Sequence, residues 1–218
     1  LTKKMAFSII SFAIAFFVTL IAIPFWMRKA KSIGLVGRDV HKKNRVEIAE
    51  AGGIVVIIAA TLGMFVYILV NTFIWKTDIG IVEMLTTILT FLLAGFIGFI
   101  DDILGWKKGL KQFYKFLLSI PIAIPLAVIN AGSSEMNLPF VGLVDFGLLF
   151  PLLLVPLGVI FATNAFNMLA GYNGLEAGMG VIILSTLAFV IFRAGAFWVS
   201  VLALTVAVSL LAFLVFNK

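Results

Sequence analysis

The 218 residues are 63% apolar and 12% charged, with a mean hydropathy of +1.22 and a formal charge of +6. A soluble domain carries roughly 25% charged residues; half that supply cannot clothe a water-exposed surface, and the same figures exclude disorder. An integral membrane protein remains, and the absence of Cys excludes disulfides, thiolate metal sites and a Cys nucleophile.

The apolar residues fall in blocks of about 20, the length of helix that crosses ~30 Å of hydrocarbon. They lack the period-two alternation of a membrane β-barrel. The expected fold is all-α, a polytopic transmembrane helix bundle of about seven spans, read at 5–26, 52–75, 80–100, 114–131, 145–164, 177–194 and 196–216. Lys3 and Lys4 give the first block a basic start like a signal peptide, but it is too long for one and no small-residue cleavage site follows. Pro24, Pro121, Pro125, Pro151 and Pro156 lie in or at the ends of spans, where neighbouring helices and water satisfy the freed carbonyls. Leu1 at the start, and Asn217-Lys218 straight after an apolar run, read as trimmed ends of a single transmembrane domain over 1–218, cut short at its C-terminus.

Twelve of the sixteen Lys and Arg fall on the face formed by 27–51, 101–115 and Lys218. The positive-inside bias makes that face cytoplasmic and puts the N-terminus outside. It also accounts for the basic charge, so nucleic acid is not an expected partner. The alternation places 165–176 on the same face, which then holds Asp39, Glu47, Glu50, Asp101, Asp102 and Glu176. A one-sided site at the cytoplasmic surface fits this better than a through-pathway, which would keep ionisable or unwound segments near mid-bilayer.

Three polar loops on that face carry the chemistry. The first runs from Gly37-Arg38-Asp39 through His41, Lys42, Lys43 and Arg45 to Glu50-Ala51-Gly52-Gly53. Its bases suit anionic lipid headgroups. Glu50 is more unusual, two residues before a span and beside a Gly pair. His41, the sole His, reads as solvated rather than as a ligand. The second is Gly98-Phe99-Ile100-Asp101-Asp102, followed by Lys107, Lys108, Lys111 and Lys115. Adjacent carboxylates repel unless a cation sits nearby, and Mg²⁺ takes hard oxygen ligands and bridges carboxylates to phosphates. Carboxylates beside ammonium groups suit metal-assisted phosphoryl transfer; a solvated helix end with anchoring lysines is the plainer alternative. The third is Asn164-Ala165-Phe166-Asn167-Met168-Leu169-Ala170-Gly171-Tyr172-Asn173-Gly174-Leu175-Glu176-Ala177-Gly178. Asn164 and Asn167 share a helix face; Gly171 and the Asn173-Gly174 turn then break the helix and expose backbone N–H groups. Such amides suit a uracil or Mg²⁺, or, more simply, interhelical hydrogen bonds.

Together these segments resemble the polyprenyl-phosphate N-acetylhexosamine-1-phosphate transferase family, of glycosyltransferase 4 type. The run from Asn164 to Gly178 is similar to the signature of the archaeal and eukaryotic UDP-N-acetylglucosamine:dolichyl-phosphate N-acetylglucosamine-1-phosphate transferases. Gly98 to Asp102 resembles the family's paired-aspartate loop, and Gly37-x-Asp39-x-x-Lys42 with Glu50-Ala51-Gly52 its first cytoplasmic loop. The resemblance covers essentially the whole chain. Bacterial muramoyl-pentapeptide members carry acids where Ala170 and Asn173 stand here, which argues against a peptidoglycan precursor as substrate. The family fold implies about ten spans, with a further metal-binding acid and phosphate contacts beyond this chain.

The resemblance implies transfer of N-acetylglucosamine-1-phosphate from UDP-N-acetylglucosamine to a polyprenyl (dolichyl) phosphate with release of UMP, the first lipid-linked step of glycan assembly. It implies Mg²⁺ (or Mn²⁺) as cofactor, a cell-membrane or endoplasmic-reticulum location, and is compatible with a homodimer. By matched position, Asp101 and Asp102 are catalytic, deprotonating or positioning the lipid phosphate. Asn167 and Asp102 are metal ligands. Asn173 and Gly171 meet the uracil, Lys111 the pyrophosphate with Lys107 and Lys108 as alternatives for that contact, Glu50 orients the donor, Asn164 supports Asn167, and Lys42 is a further substrate contact. Asp101, Asp102, Asn167 and Lys111 are expected to share one cytoplasmic pocket. The rival readings are another N-acetylhexosamine donor or an undecaprenyl acceptor, a divalent-cation channel or transporter gated by the Asp pair, and a non-catalytic scaffold.

Overall fold

The computed structural model describes residues 2–38, 47–76, 80–104, 112–169 and 172–217. Among these, seven helices follow the seven apolar blocks: α1 (Thr2–Ser32), α2 (Gly53–Leu69), α3 (Ile81–Leu104), α4 (Gln112–Val128), α5 (Val155–Leu169), α6 (Leu175–Arg193) and α7 (Phe197–Leu214). Wider turns extend α2 through Val70–Trp75 and lead into α5 through Phe150–Leu154. Among the described residues, six helical stretches are long and apolar enough to cross a membrane: Ser8–Ser32, Gly53–Trp75, Ile81–Leu104, Phe150–Leu169, Leu175–Arg193 and Phe197–Leu214. The seventh, α4, has 17 residues with Pro121 and Pro125 inside. At 1.5 Å per residue that is roughly 25 Å.

The protein is thus an integral membrane protein with an all-α spanning part. Two short antiparallel ribbons interrupt it, β1 (Val36–Arg38) with β2 (Glu47–Ala49), and β3 (Glu135–Leu138) with β4 (Gly142–Asp145). Strands this short show no periodicity that a sequence reading can separate from a loop. Several helix ends also differ from the apolar blocks. Arg28, Lys29 and Lys31 ride on the last turns of α1, and Asp101 and Asp102 on the last turn of α3. Polar side chains end a hydropathy block but do not end a helix. Asp145 ends β4 instead of opening a span.

The described chain divides into two compact units. The first holds α1, the β1–β2 ribbon, α2, the end of α3 from Gly98, α6 and α7; the second holds the rest of α3, α4, the β3–β4 ribbon and α5. In the first unit α1, α2 and α7 pack on small residues, with Ala15, Ala59, Ala60 and Ala212 fully enclosed. Gly63 is required there: a Cβ would stand 2.7 Å from the Ser11 carbonyl oxygen and 2.9 Å from Thr205 Cγ2. Lipid tails supply no hydrophobic drive between spanning helices, so this close backbone approach is what holds them. A hydroxyl relay adds to it. Thr19 Oγ1 and Ser209 Oγ lie 2.6 Å apart, and Ser209 also donates to the Val56 carbonyl at 3.2 Å, tying α1, α7 and α2. Ser200 Oγ donates to the Ala188 carbonyl at 2.9 Å and fixes α7 on α6.

Candidate functional site

One end of the first unit carries Glu50, Asp101, Asp102 and Asn173, four of the described polar residues read as functional. It is built where α1 ends, α2 and α6 begin, and α7 ends. Near the end of α1, the Trp26 indole N–H donates to the Glu50 carbonyl at 3.0 Å, and its ring meets Phe99 of α3 at 6.1 Å between centroids. That contact brings the final turn of α3 to the same end. Asp102 lies three residues after Phe99 and so shares its helix face, while Asp101 is turned away by about 100°. Asp101 is half-buried and Asp102 exposed.

Glu50 follows β2, with its N–H donating to Leu35 O at 3.2 Å. Its carboxyl folds over the Cα of Gly37, where any side chain would displace it. Partial burial raises the Glu50 pKa above the ordinary carboxylate range. Ala51 then takes a left-handed backbone (φ 57°), and Gly52 receives the Phe213 ring of α7.

The Asn173-Gly174 turn opens α6 at this same end. Gly174 is left-handed (φ 76°) and its N–H donates to Asn217 Oδ1, just past α7, at 3.3 Å. Asn173 is exposed beside it and Glu176 is half-buried in the first turn of α6.

Two carboxylates in the last turn of α3 face the negative end of the helix dipole, where acids are disfavoured by about 0.3–1 kcal/mol each. A cation relieves both that and their mutual repulsion. Among the described residues no group of three His, Cys, Asp or Glu side chains forms a metal cage. Mg²⁺ does not require one, since it is commonly held by one or two carboxylates with substrate phosphates and water. Asp102, exposed at the helix end, offers the hard oxygen donor that Mg²⁺ takes.

The second unit carries Asn164 and Asn167 on α5. The Asn164 amide donates to Ser119 Oγ of α4 at 3.2 Å and to Ile160 O at 2.8 Å, and Thr163 reaches the same Ser119 at 3.3 Å. This fixes the turn of α5 that presents Asn167, which is exposed one turn further on. Lys42, Lys111 and Gly171 lie outside the described residues, as do Asp39, His41, Lys107 and Lys108.

Sequence reasoning missed Trp26, Phe99 and Asn217, which tie the polar segments of the first unit together. A Trp near the end of a span reads simply as an interfacial aromatic, and contacts between remote positions leave no periodic mark.

Residues 84–218 match the family Glycosyl transferase family 4. Over 208 residues the chain is 36% identical to a Saccharolobus solfataricus protein provisionally named a UDP-N-acetylglucosamine–dolichyl-phosphate N-acetylglucosaminephosphotransferase, covering 94% of this chain and 61% of that one. A Sulfolobus acidocaldarius protein with the same provisional name is 32% identical over 212 residues, 96% of this chain and 62% of that one. The phospho-N-acetylmuramoyl-pentapeptide-transferase of Lactobacillus johnsonii is 31% identical over 225 residues, 98% of this chain and 68% of that one. The chain thus spans about three fifths of the length of the two archaeal relatives.

Proposed function

The chain belongs to glycosyl transferase family 4, and on that footing we propose that it transfers N-acetylglucosamine-1-phosphate from UDP-N-acetylglucosamine to a polyprenyl phosphate of the dolichyl type. An oxygen of the lipid phosphate attacks the β-phosphorus of the donor. The new P–O bond forms as the bond from that phosphorus to the bridging oxygen breaks, and UMP leaves with the electron pair. The observation that carries the reading is that Trp26 joins the Glu50 segment to the last turns of α3, at the end of the first unit where Phe213 covers Gly52 and Asn217 holds the Gly174 turn.

In this reading Asp101 and Asp102 take or hold the proton of the lipid phosphate. Asn173, with the backbone at Gly171, meets the uracil. Glu50 orients the donor sugar, Lys111 holds the pyrophosphate, and Lys42 is a further substrate contact. Mg²⁺ would take Asp102 and Asn167 as its ligands by the same resemblance, and would supply positive charge to offset that of the pyrophosphate. The half-buried Asp101 and exposed Asp102 divide the work, one kept from bulk water and one open to ligand. The site faces the cytoplasm, where a water-soluble anionic nucleotide and a membrane-held phosphate can meet over a basic surface.

The test compares two amides in the full-length protein. Asn167→Ala should weaken Mg²⁺ dependence and cut turnover strongly, because the metal acts on charge that develops in the transition state. Asn173→Ala should mainly raise the KM for the UDP-sugar by about one hydrogen bond, roughly 0.5–1.5 kcal/mol. Identical Mg²⁺ titrations for both variants and wild type would remove Asn167 from the metal site.

A further inference from the structure

The β3–β4 ribbon, which the proposed chemistry does not use, joins α4 to the start of α5 within the second unit. Its base is firmly held. Phe146 N–H donates to Ser134 O at 3.0 Å, and Asp145 Oδ1 accepts from Gly147 N–H at 2.9 Å. The Gly147 N–H and the Ser134 hydroxyl keep the Asp145 carboxyl below its ordinary pKa. Gly132 (φ 103°) lies under the Phe150 ring, where a Cβ would come within 2.9 Å.

The tip contrasts with this polar base. The turn closes through Val141 N–H to Leu138 O at 3.3 Å and carries Pro139, Phe140 and Val141 outward. Phe140 is fully exposed on a left-handed backbone (φ 68°), and Val141 and Leu143 are each 70% exposed. A bulky residue is rarely left-handed, and here that conformation serves to turn an aromatic ring out of the protein. Leu148 and Leu149, just before the helix, and Val128, ending α4, are exposed as well. This apolar surface continues into the spanning segments.

We propose that the ribbon tip is a membrane-interface anchor, with Phe140, Val141 and Leu143 inserted at the boundary between headgroups and acyl chains of the bilayer its flanking helices cross. Reach supports this occupant. A four-residue strand extends about 13 Å, whereas the headgroup layer beyond the hydrocarbon is only about 5–8 Å deep on each side. A ribbon hinged at the ends of α4 and α5 therefore stays within reach of lipid. Charge supports it too. No Lys or Arg occurs between Lys115 and Arg193, and the ribbon's ionisable groups, Glu135 and Asp145, stand at opposite register positions at its base, away from the tip. The grip is apolar and requires no anionic lipid. Large exposed apolar groups rimmed by polar residues mark such membrane contacts.

The chain has no Cys, so a single introduced thiol can be spin-labelled cleanly. Phe140→Cys, Leu143→Cys and Glu135→Cys would be labelled in the protein held in phosphatidylcholine nanodiscs. Collisions would be compared for oxygen, which enters lipid, and a nickel chelate, which stays in water. The tip labels should favour oxygen several-fold and the Glu135 label the chelate. Tip labels that favour the chelate, or that collide with neither because protein covers them, would overturn the proposal. Phe140→Trp keeps the bulk and provides an independent reading: its added emission should be quenched by lipids brominated near the headgroup, and a lack of quenching would also overturn it.

Discussion

Trp26→Phe isolates a single bond in the candidate site. The substitution keeps an aromatic ring against Phe99, now 6.1 Å between centroids, and removes only the indole N–H that donates to the Glu50 carbonyl at 3.0 Å. A neutral hydrogen bond of this kind contributes about 0.5–1.5 kcal/mol net. At 1.36 kcal/mol per tenfold, that corresponds to about 2- to 12-fold. The bond braces the peptide ahead of Ala51, held left-handed at φ 57°. Without it the junction can relax and carry the Glu50 carboxyl off Gly37. If Glu50 orients the donor, the KM for UDP-N-acetylglucosamine should rise about 2- to 12-fold with kcat little changed. The assay is initial rates over donor concentration at saturating polyprenyl phosphate, using the full-length protein, with thermal unfolding in detergent as a check on folding. An unchanged donor KM in Trp26→Phe, alongside a raised KM in Glu50→Ala, would refute the link between the two residues. So would a fall in kcat alone.

Other consequences are equally direct. Burial raises the Glu50 pKa, so the folded state holds its proton to higher pH than the unfolded state does, and stability falls as pH rises from the ordinary carboxylate range through the raised value. Melting across pH should therefore show Glu50→Gln matching wild type in acid and becoming relatively more stable above that window; a constant difference across pH would contradict it. Gly63→Ala should lower the melting midpoint, because its Cβ would meet the Ser11 carbonyl oxygen at 2.7 Å, and overpacking of this kind costs about 1–3 kcal/mol. Gly53→Ala, with nothing within 4 Å of the added atom, serves as the control and should melt close to wild type. Asn164→Ala and Ser119→Ala should show a coupling in a double-mutant cycle of about 0.6 kcal/mol, as for other hydrogen bonds between spanning helices; strict additivity would remove the strut between α4 and α5.

Much of the fold was legible because a bilayer demands long apolar helices, and α1 to α7 each leave a block in the sequence. The ends were less legible. Asp101 and Asp102 close the apolar run but continue α3, since carboxylates change hydropathy without breaking the backbone hydrogen bonds. The two ribbons left no usable signal, their strands being three or four residues long with Gly and Asn among them. Within the site, Glu50, the Asp pair and Asn173-Gly174 stood out because polar groups beside apolar runs need a reason to be there. Their joining through Trp26, Phe99 and Asn217 was not readable, because each contact links distant parts of the chain. Asn164 illustrates a different limit: the sequence showed an amide in a span, and only the packing showed Ser119 as its partner.

The central claim is that the sugar leaves the nucleotide with its phosphate attached. The full-length protein in detergent with Mg²⁺ and a polyprenyl phosphate, given UDP-N-acetylglucosamine labelled in both its β-phosphorus and its sugar, tests this directly. The account predicts both labels in the lipid fraction at the donor's own ratio, with UMP as the nucleotide product, and loss of both in Asp101→Asn or Asp102→Asn. Sugar label in lipid without phosphorus label, with UDP released, or no labelled lipid from any UDP-N-acetylhexosamine, would contradict it.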